Sequence, residues 1–230
     1  MSSTAKLVYK GTKLFRVISS VVGIVLVFLL GLYGAGSVFN EGGFTISLDD
    51  TDSVAPIEIS LSETSDFNAP SVRLSVPGVE NMTNITETDI PTDLATLDGS
   101  NNGAHYIAYT FYVKNVGNTP CNLKETFHLN SSAKQADEAI RIKVIKNGSV
   151  TTYAKLGQNG VAEYGTTPFE SEDTVYESVN ENFNPGDVIK YTLVIWIEGN
   201  DPECLDNIKG GNVEMSITYS SYASGDQEKS

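Results

Sequence analysis

Ile140-Arg-Ile-Lys-Val-Ile-Lys-Asn-Gly-Ser-Val-Thr-Thr-Tyr153 is the stretch that decides the fold. Apolar and polar residues alternate up to Asn147-Gly148, which supplies the positive φ values of a type I′ turn. The chain then returns through a second run rich in β-branched residues. A two-residue loop sets the register of this hairpin: Lys146 opposite Ser149, Val144 opposite Thr151, Ile142 opposite Tyr153.

The same period of two recurs on both sides. Phe44–Leu48, Ile57–Leu61 and Val72–Val76 alternate in short runs separated by Asp, Asn and Pro. His105–Val116 is longer, with Ile107, Tyr109, Phe111 and Val113 on one face. Leu123–Leu129 and Val213–Tyr219 alternate as well. Val188–Ile197 follows the turn Asn184-Pro-Gly-Asp187 and is apolar on both faces, as a central, doubly covered strand would be. Two stretches, Pro77–Gly103 and Gly157–Asn182, keep no period and read as surface excursions; short helical turns are expected near Thr92–Leu97, Ser132–Ala139 and Cys204–Lys209. Eight or nine strands without βαβ alternation predict an all-β, antiparallel sandwich of jelly-roll or Greek-key type over residues 37–222, with a polar tail at 223–230.

Ahead of this domain lies Val17–Gly36, about the length of a membrane-crossing helix and free of charge. Val17, Val21, Ile24, Phe28 and Leu32 are its apolar ladder. Lys6, Lys10, Lys13 and Arg16 precede it within residues 1–16, and the next basic residue is Arg73. The positive-inside rule then puts the N-terminus in the cytoplasm and the domain outside. The segment reads either as a retained transmembrane anchor or as a signal peptide cut near Gly34–Ser37. The expected location is the cell membrane with an extracellular domain, or secretion after cleavage.

Charge narrows the partners. The chain has 15 basic and 29 acidic residues; without the four basic ones before Val17, 11 face 29. Such a field repels phosphate backbones, so a nucleic-acid partner is not expected. The membrane, through the N-terminal segment, and other proteins or further copies of the chain are.

Cys121 and Cys204, the two cysteines, would both lie in an oxidising compartment and are expected to pair. Acids clustered in turns, Asp49, Asp50 and Asp52 in one place and Asp201, Glu203 and Asp206 in another, offer oxygen ligands for calcium, although neither group has the spacing of the twelve-residue calcium loop. The same composition occurs in turns that bind no metal. No His-Glu-x-x-His, Gly-x-Ser-x-Gly or phosphate-cradling glycine loop is present, and His105 and His128 stand 23 residues apart. No catalytic residues are assigned, and the expected activity is non-enzymatic.

Three features together resemble the TasA/camelysin group of exported biofilm-matrix proteins. They are the export segment followed by Gly43-Phe-Thr-Ile-Ser-Leu48, the strand end Phe111-Tyr-Val-Lys-Asn-Val-Gly117, and Pro185-Gly186-Asp187 before a long apolar strand. The resemblance implies a jelly-roll domain that forms fibres by strand exchange, with Phe44, Ile46 and Leu48 inserted into a neighbour's sheet. Against it stands the simpler expectation that Phe44–Leu48 is the first strand of its own domain. An alternative function is a membrane-tethered binding domain for a glycan, small ligand or calcium on the cell envelope.

Overall fold

A computed structural model describes residues 44–49 and 59–223. Val17–Gly36 with its flanking basic residues, and Asp50 and Asp52, lie outside the described residues. Among the described residues no helix is long and apolar enough to cross a membrane, and helical structure is limited to short 3-10 turns.

Among the described residues twelve strands form two mixed sheets. The first contains β1 (Phe44–Leu48), β3 (Arg73–Val76), β6 (Cys121–Ser132), β10 (Thr174–Phe183) and β12 (Val213–Ala223), in the order β10-β6-β12-β1-β3. The second contains β2 (Ile59–Ser62), β5 (Tyr106–Asn115), β7 (Ile140–Lys146), β8 (Ser149–Ala154), β9 (Thr167–Pro168) and β11 (Val188–Ile197), in the order β2-β5-β11-β7-β8-β9. The two-residue β4 (Gly99–Ser100) also pairs with β5. Pairing is antiparallel except for β1 with β12 and β8 with β9. The expectation of an antiparallel fold is therefore met by most pairs and departed from at these two, where β1 runs alongside the last strand in the same direction.

The β7–β8 hairpin has the register its sequence predicts, Lys146 opposite Ser149 and Ile142 opposite Tyr153. Asn147 and Gly148 take φ of 49° and 85°, the left-handed values the tight turn needs. Asn147 also anchors the turn: its Oδ1 accepts the Lys190 N–H at 2.9 Å and its own N–H donates to the Lys190 carbonyl at 2.9 Å.

Period-two alternation sends one face of each sheet into a single apolar cluster. Phe44, Ile46, Phe127 and Ile217 come from the first sheet, and Phe111, Val113, Ile142 and Leu193 from the second. β11 lies between β5 and β7, and both of its faces are covered, as its composition predicts. The second cover is the stretch read as a surface excursion. Ile90 and Leu94 from Pro77–Gly103 pack over Ala108, Val194 and Trp196 on the other side of the sheet. The backbone of Ile85 clasps the end of β11, donating to Ile197 at 3.0 Å and accepting from Gly199 at 2.8 Å.

Three expectations are corrected. Ser132 ends β6 rather than starting a helix, and its hydroxyl receives the Asp137 N–H at 3.3 Å beside a 3-10 turn at Ala136–Ala139. Within the stretch Gly157–Asn182, read as loop, lies most of β10. It was hidden because the inward register of this edge strand continues from Tyr176 through the polar Ser178 and Asn180, where apolar residues would advertise it.

The third correction is the disulfide: Cys121 and Cys204 are both free thiols. Cys121, the first residue of β6, lies beside the start of β11: its Sγ is 3.8 Å from Asn115 Nδ2, while the Asn115 N–H donates to the Asp187 carbonyl at 3.1 Å. Cys204 lies beyond the other end of that ten-residue strand, where Asp201 is held by Arg141, the register partner of Trp196. The strand alone spans about 30 Å, and a disulfide requires Cα atoms within about 7 Å. Burial pushes both thiols up, Asp201 and Glu198 adding to the effect at Cys204, so neither is an activated nucleophile.

Candidate functional site

Glu125 occupies a position that the β6 pattern reserves for apolar residues. Cys121, Leu123, Phe127 and Leu129 alternate inward along the strand, and Glu125 falls in the same register with 1% of its surface exposed. A carboxylate placed there must be paired and hydrogen-bonded to be tolerated. It accepts Lys146 Nζ at 2.7 Å and the Ser178 hydroxyl at 2.6 Å on Oε1, and the Tyr191 hydroxyl on Oε2. Its partners come from β7, β10 and β11, so one side chain ties the two sheets together.

Beside this carboxylate a cleft of about 520 Å³ opens between β6 and β10 of one sheet and β7, β8 and β9 of the other. Tyr153 of β8 stacks on Tyr176 of β10, ring centres 5.0 Å apart and planes 20° from parallel. Both line the cleft, with Lys146, Ser149, Thr151 and Glu170. Tyr176 is buried, yet its hydroxyl has no hydrogen-bond partner. Leaving such a group unsatisfied costs about 1–3 kcal/mol.

Burial, reinforced by the Glu125 charge, raises the Tyr176 and Tyr191 hydroxyls well above the usual phenol range and raises Tyr153 as well. These hydroxyls stay protonated at any physiological pH. These tyrosines thus act as hydrogen-bonding groups rather than as proton-transfer groups.

A second polar cluster sits at the end of β7. Arg141, 5% exposed, contacts Asp201 Oδ2 at 2.6 Å and Glu163 Oε2 at 3.6 Å. Glu203 accepts the Gln158 N–H at 3.0 Å and donates its own N–H to Asp201 Oδ1 at 2.8 Å. Burial, with a bond between its carboxyl and that of Glu203, pushes Asp201 up against the pull of the Glu203 N–H and of Arg141; the Gln158 N–H, with that same carboxyl–carboxyl bond, holds Glu203 down.

Glu163, Asp201 and Glu203 bring ligand oxygens within 4.8 Å of one another, a spacing a hard cation could use. Arg141 already fills that role as the counter-charge. Of the acids singled out for calcium, Asp201 and Glu203 come together. Asp206 is exposed and pairs instead with Lys209 at 2.7 Å. Asp49 follows β1, its N–H donating to the Tyr219 carbonyl at 2.8 Å, and is not part of the group.

Of the strand-exchange residues, Phe44 and Ile46 are fully buried and Leu48 partly so, all within the chain's own sheet. The histidines are separate: His105 is beside the Thr83 hydroxyl at 3.1 Å, and His128 is on β6 between the inward Phe127 and Leu129. Sequence reading missed Glu125, Tyr176 and Glu163. Glu125 had a signal, an acid in an otherwise apolar inward register; the other two had none. Neither a protein-family model nor a curated protein sequence matches the chain.

Proposed function

We propose that the chain is a non-enzymatic cell-surface or matrix protein, exported and either anchored or released, whose two sheets face each other as a β-sandwich and which acts through protein–protein contacts. The seat of β1 carries this reading. Five residues long, it fills the slot between β12 and β3, pairing Phe44–Leu48 with Met215–Tyr219 and Phe44–Ser47 with Val76–Arg73. Within that sheet β3 pairs with β1 alone. Full burial of Phe44 and Ile46 contributes about 2 kcal/mol each.

The same strand supplied by a second copy would meet an identical register and identical pockets. Exchange therefore replaces these contacts one for one rather than inventing new ones. The likeness to the TasA/camelysin group supports the same reading, as does the outer edge of β10, which among the described residues pairs in the sheet with β6 alone.

Residues 37–230 should assemble into filaments as concentration rises, and removing residues 37–48 should abolish them. A synthetic peptide of residues 41–49 should then raise the melting temperature of the shortened protein. Sedimentation that finds only monomers at every concentration, with no response to the peptide, would overturn the proposal.

A further inference from the structure

The cleft beside Glu125 is not used by strand exchange, and its chemistry points to a ligand of its own. We propose that it binds a neutral carbohydrate, a single pyranose unit standing free or within a glycan. This goes beyond the self-association reading and stands or falls separately from it.

Size comes first. About 520 Å³ lies within the range of small-molecule sites and suits one sugar ring with its hydroxyls. Charge comes second. Glu125 is paired with Lys146 at 2.7 Å and Glu177 with Lys124 at 3.0 Å. Among the described residues lining the cleft, that leaves Glu170 as the charge with no ion-pair partner, and it is exposed at the mouth. An anionic ligand would meet Glu170 and Glu177; a cation would have to stand beside Lys146. A neutral ligand meets neither obstacle.

What remains is hydrogen-bonding capacity of both signs. An ammonium has three N–H donors, of which Glu125 takes one from Lys146. Ser149, Thr151 and Thr167 add hydroxyls that both donate and accept. The Tyr176 hydroxyl is the independent mark of a missing partner: it is buried and bonds to nothing, at the tip of a side chain that lines the cleft. A sugar hydroxyl can donate to it and accept from it. Tyr153, half-buried and stacked on Tyr176, supplies an aromatic wall of the kind that receives the C–H face of a pyranose.

The test uses the full chain in detergent and saturation-transfer NMR with titration calorimetry. The probes are glucose, galactose, mannose and xylose, with putrescine and inorganic phosphate as charged comparators. At least one neutral sugar should bind saturably, with the strongest transfer to its C–H protons. Tyr176→Phe should weaken it by about three- to tenfold without lowering the melting temperature, and Thr151→Val should weaken it further. Asp206→Asn, remote from the cleft, should change nothing. Failure of every sugar to saturate through the millimolar range overturns the proposal, as does an affinity indifferent to Tyr176→Phe. Binding of putrescine in place of sugars, lost in Glu170→Gln, would make the cleft a cation site and overturn it equally.

Discussion

Glu125 and Arg141 are both buried charges, on strands consecutive in the chain but in different sheets, yet they are held in different ways. Glu125 stands between the sheets with its three partners drawn from three strands. Arg141 stands at a strand end, and its partners Asp201 and Glu163 come from loops. Lys155 nearby repeats the second arrangement, joining Asp137 at 2.6 Å and Glu172 at 2.8 Å. A charge between strands has no way to relax when its partner is lost, whereas loop acids can take up a proton or turn toward water. The interior carboxylate is the harder one to replace.

Replacing Glu125 with Ala should therefore have the largest effect. It strands Lys146, Ser178 and Tyr191 and opens a void, costing about 3–5 kcal/mol in urea denaturation. Arg141→Met should cost less, about 2 kcal/mol at neutral pH, because Asp201 is already inclined to hold a proton. Its deficit should shrink as the pH is lowered toward the carboxylate range. If the two substitutions cost the same at every pH, the contrast between strand and loop partners is wrong.

Asp137 sharpens the comparison through its own titration. Burial pushes its carboxyl up, but hydrogen bonds from Lys155 and Ser132 outweigh that and leave it below the ordinary 3.8. A depressed carboxyl stabilises the fold above its unfolded pKa and loses that contribution as pH falls through the folded value. Asp137→Asn should thus cost about 1 kcal/mol at pH 7, with the gap from the parent closing below about pH 4. The smallest effect belongs to Tyr176→Phe. It removes a hydroxyl that has no partner, so stability should stay within about 0.5 kcal/mol of the parent or rise slightly. A clear loss would mean that the hydroxyl is bonded within the fold.

The elements legible in the sequence were those whose local chemistry and tertiary setting agree. Asn147-Gly148 dictates its own turn, and the register of β7 and β8 follows from it. β11 announced two covered faces because Val194 and Trp196 share it with Leu193 and Ile195. β10 was illegible because half of its positions face water at a sheet edge. The cover over β5 was illegible because Ile85, Ile90 and Leu94 are scattered apolar residues among polar ones. The cysteine pair was misread for another reason: compartment governs whether thiols can oxidise, but only the fold sets their distance. Glu125 was readable in principle from its register, whereas its meeting with Tyr191 and Ser178 needed the strand order.

The outer cover has a practical consequence. Trp196, the chain's one tryptophan, is 1% exposed and lies beneath Ile90 and Leu94 rather than in the main cluster; its indole N–H donates to Glu198 at 2.9 Å. Several of the tyrosines, including Tyr109, Tyr176, Tyr191 and Tyr219, belong to the main cluster. Selective excitation of the indole therefore follows the outer layer, while tyrosine absorbance follows the interior. During unfolding the two signals amount to a built-in pair of reporters, and any separation between their midpoints measures how independently the flap peels from the sheets.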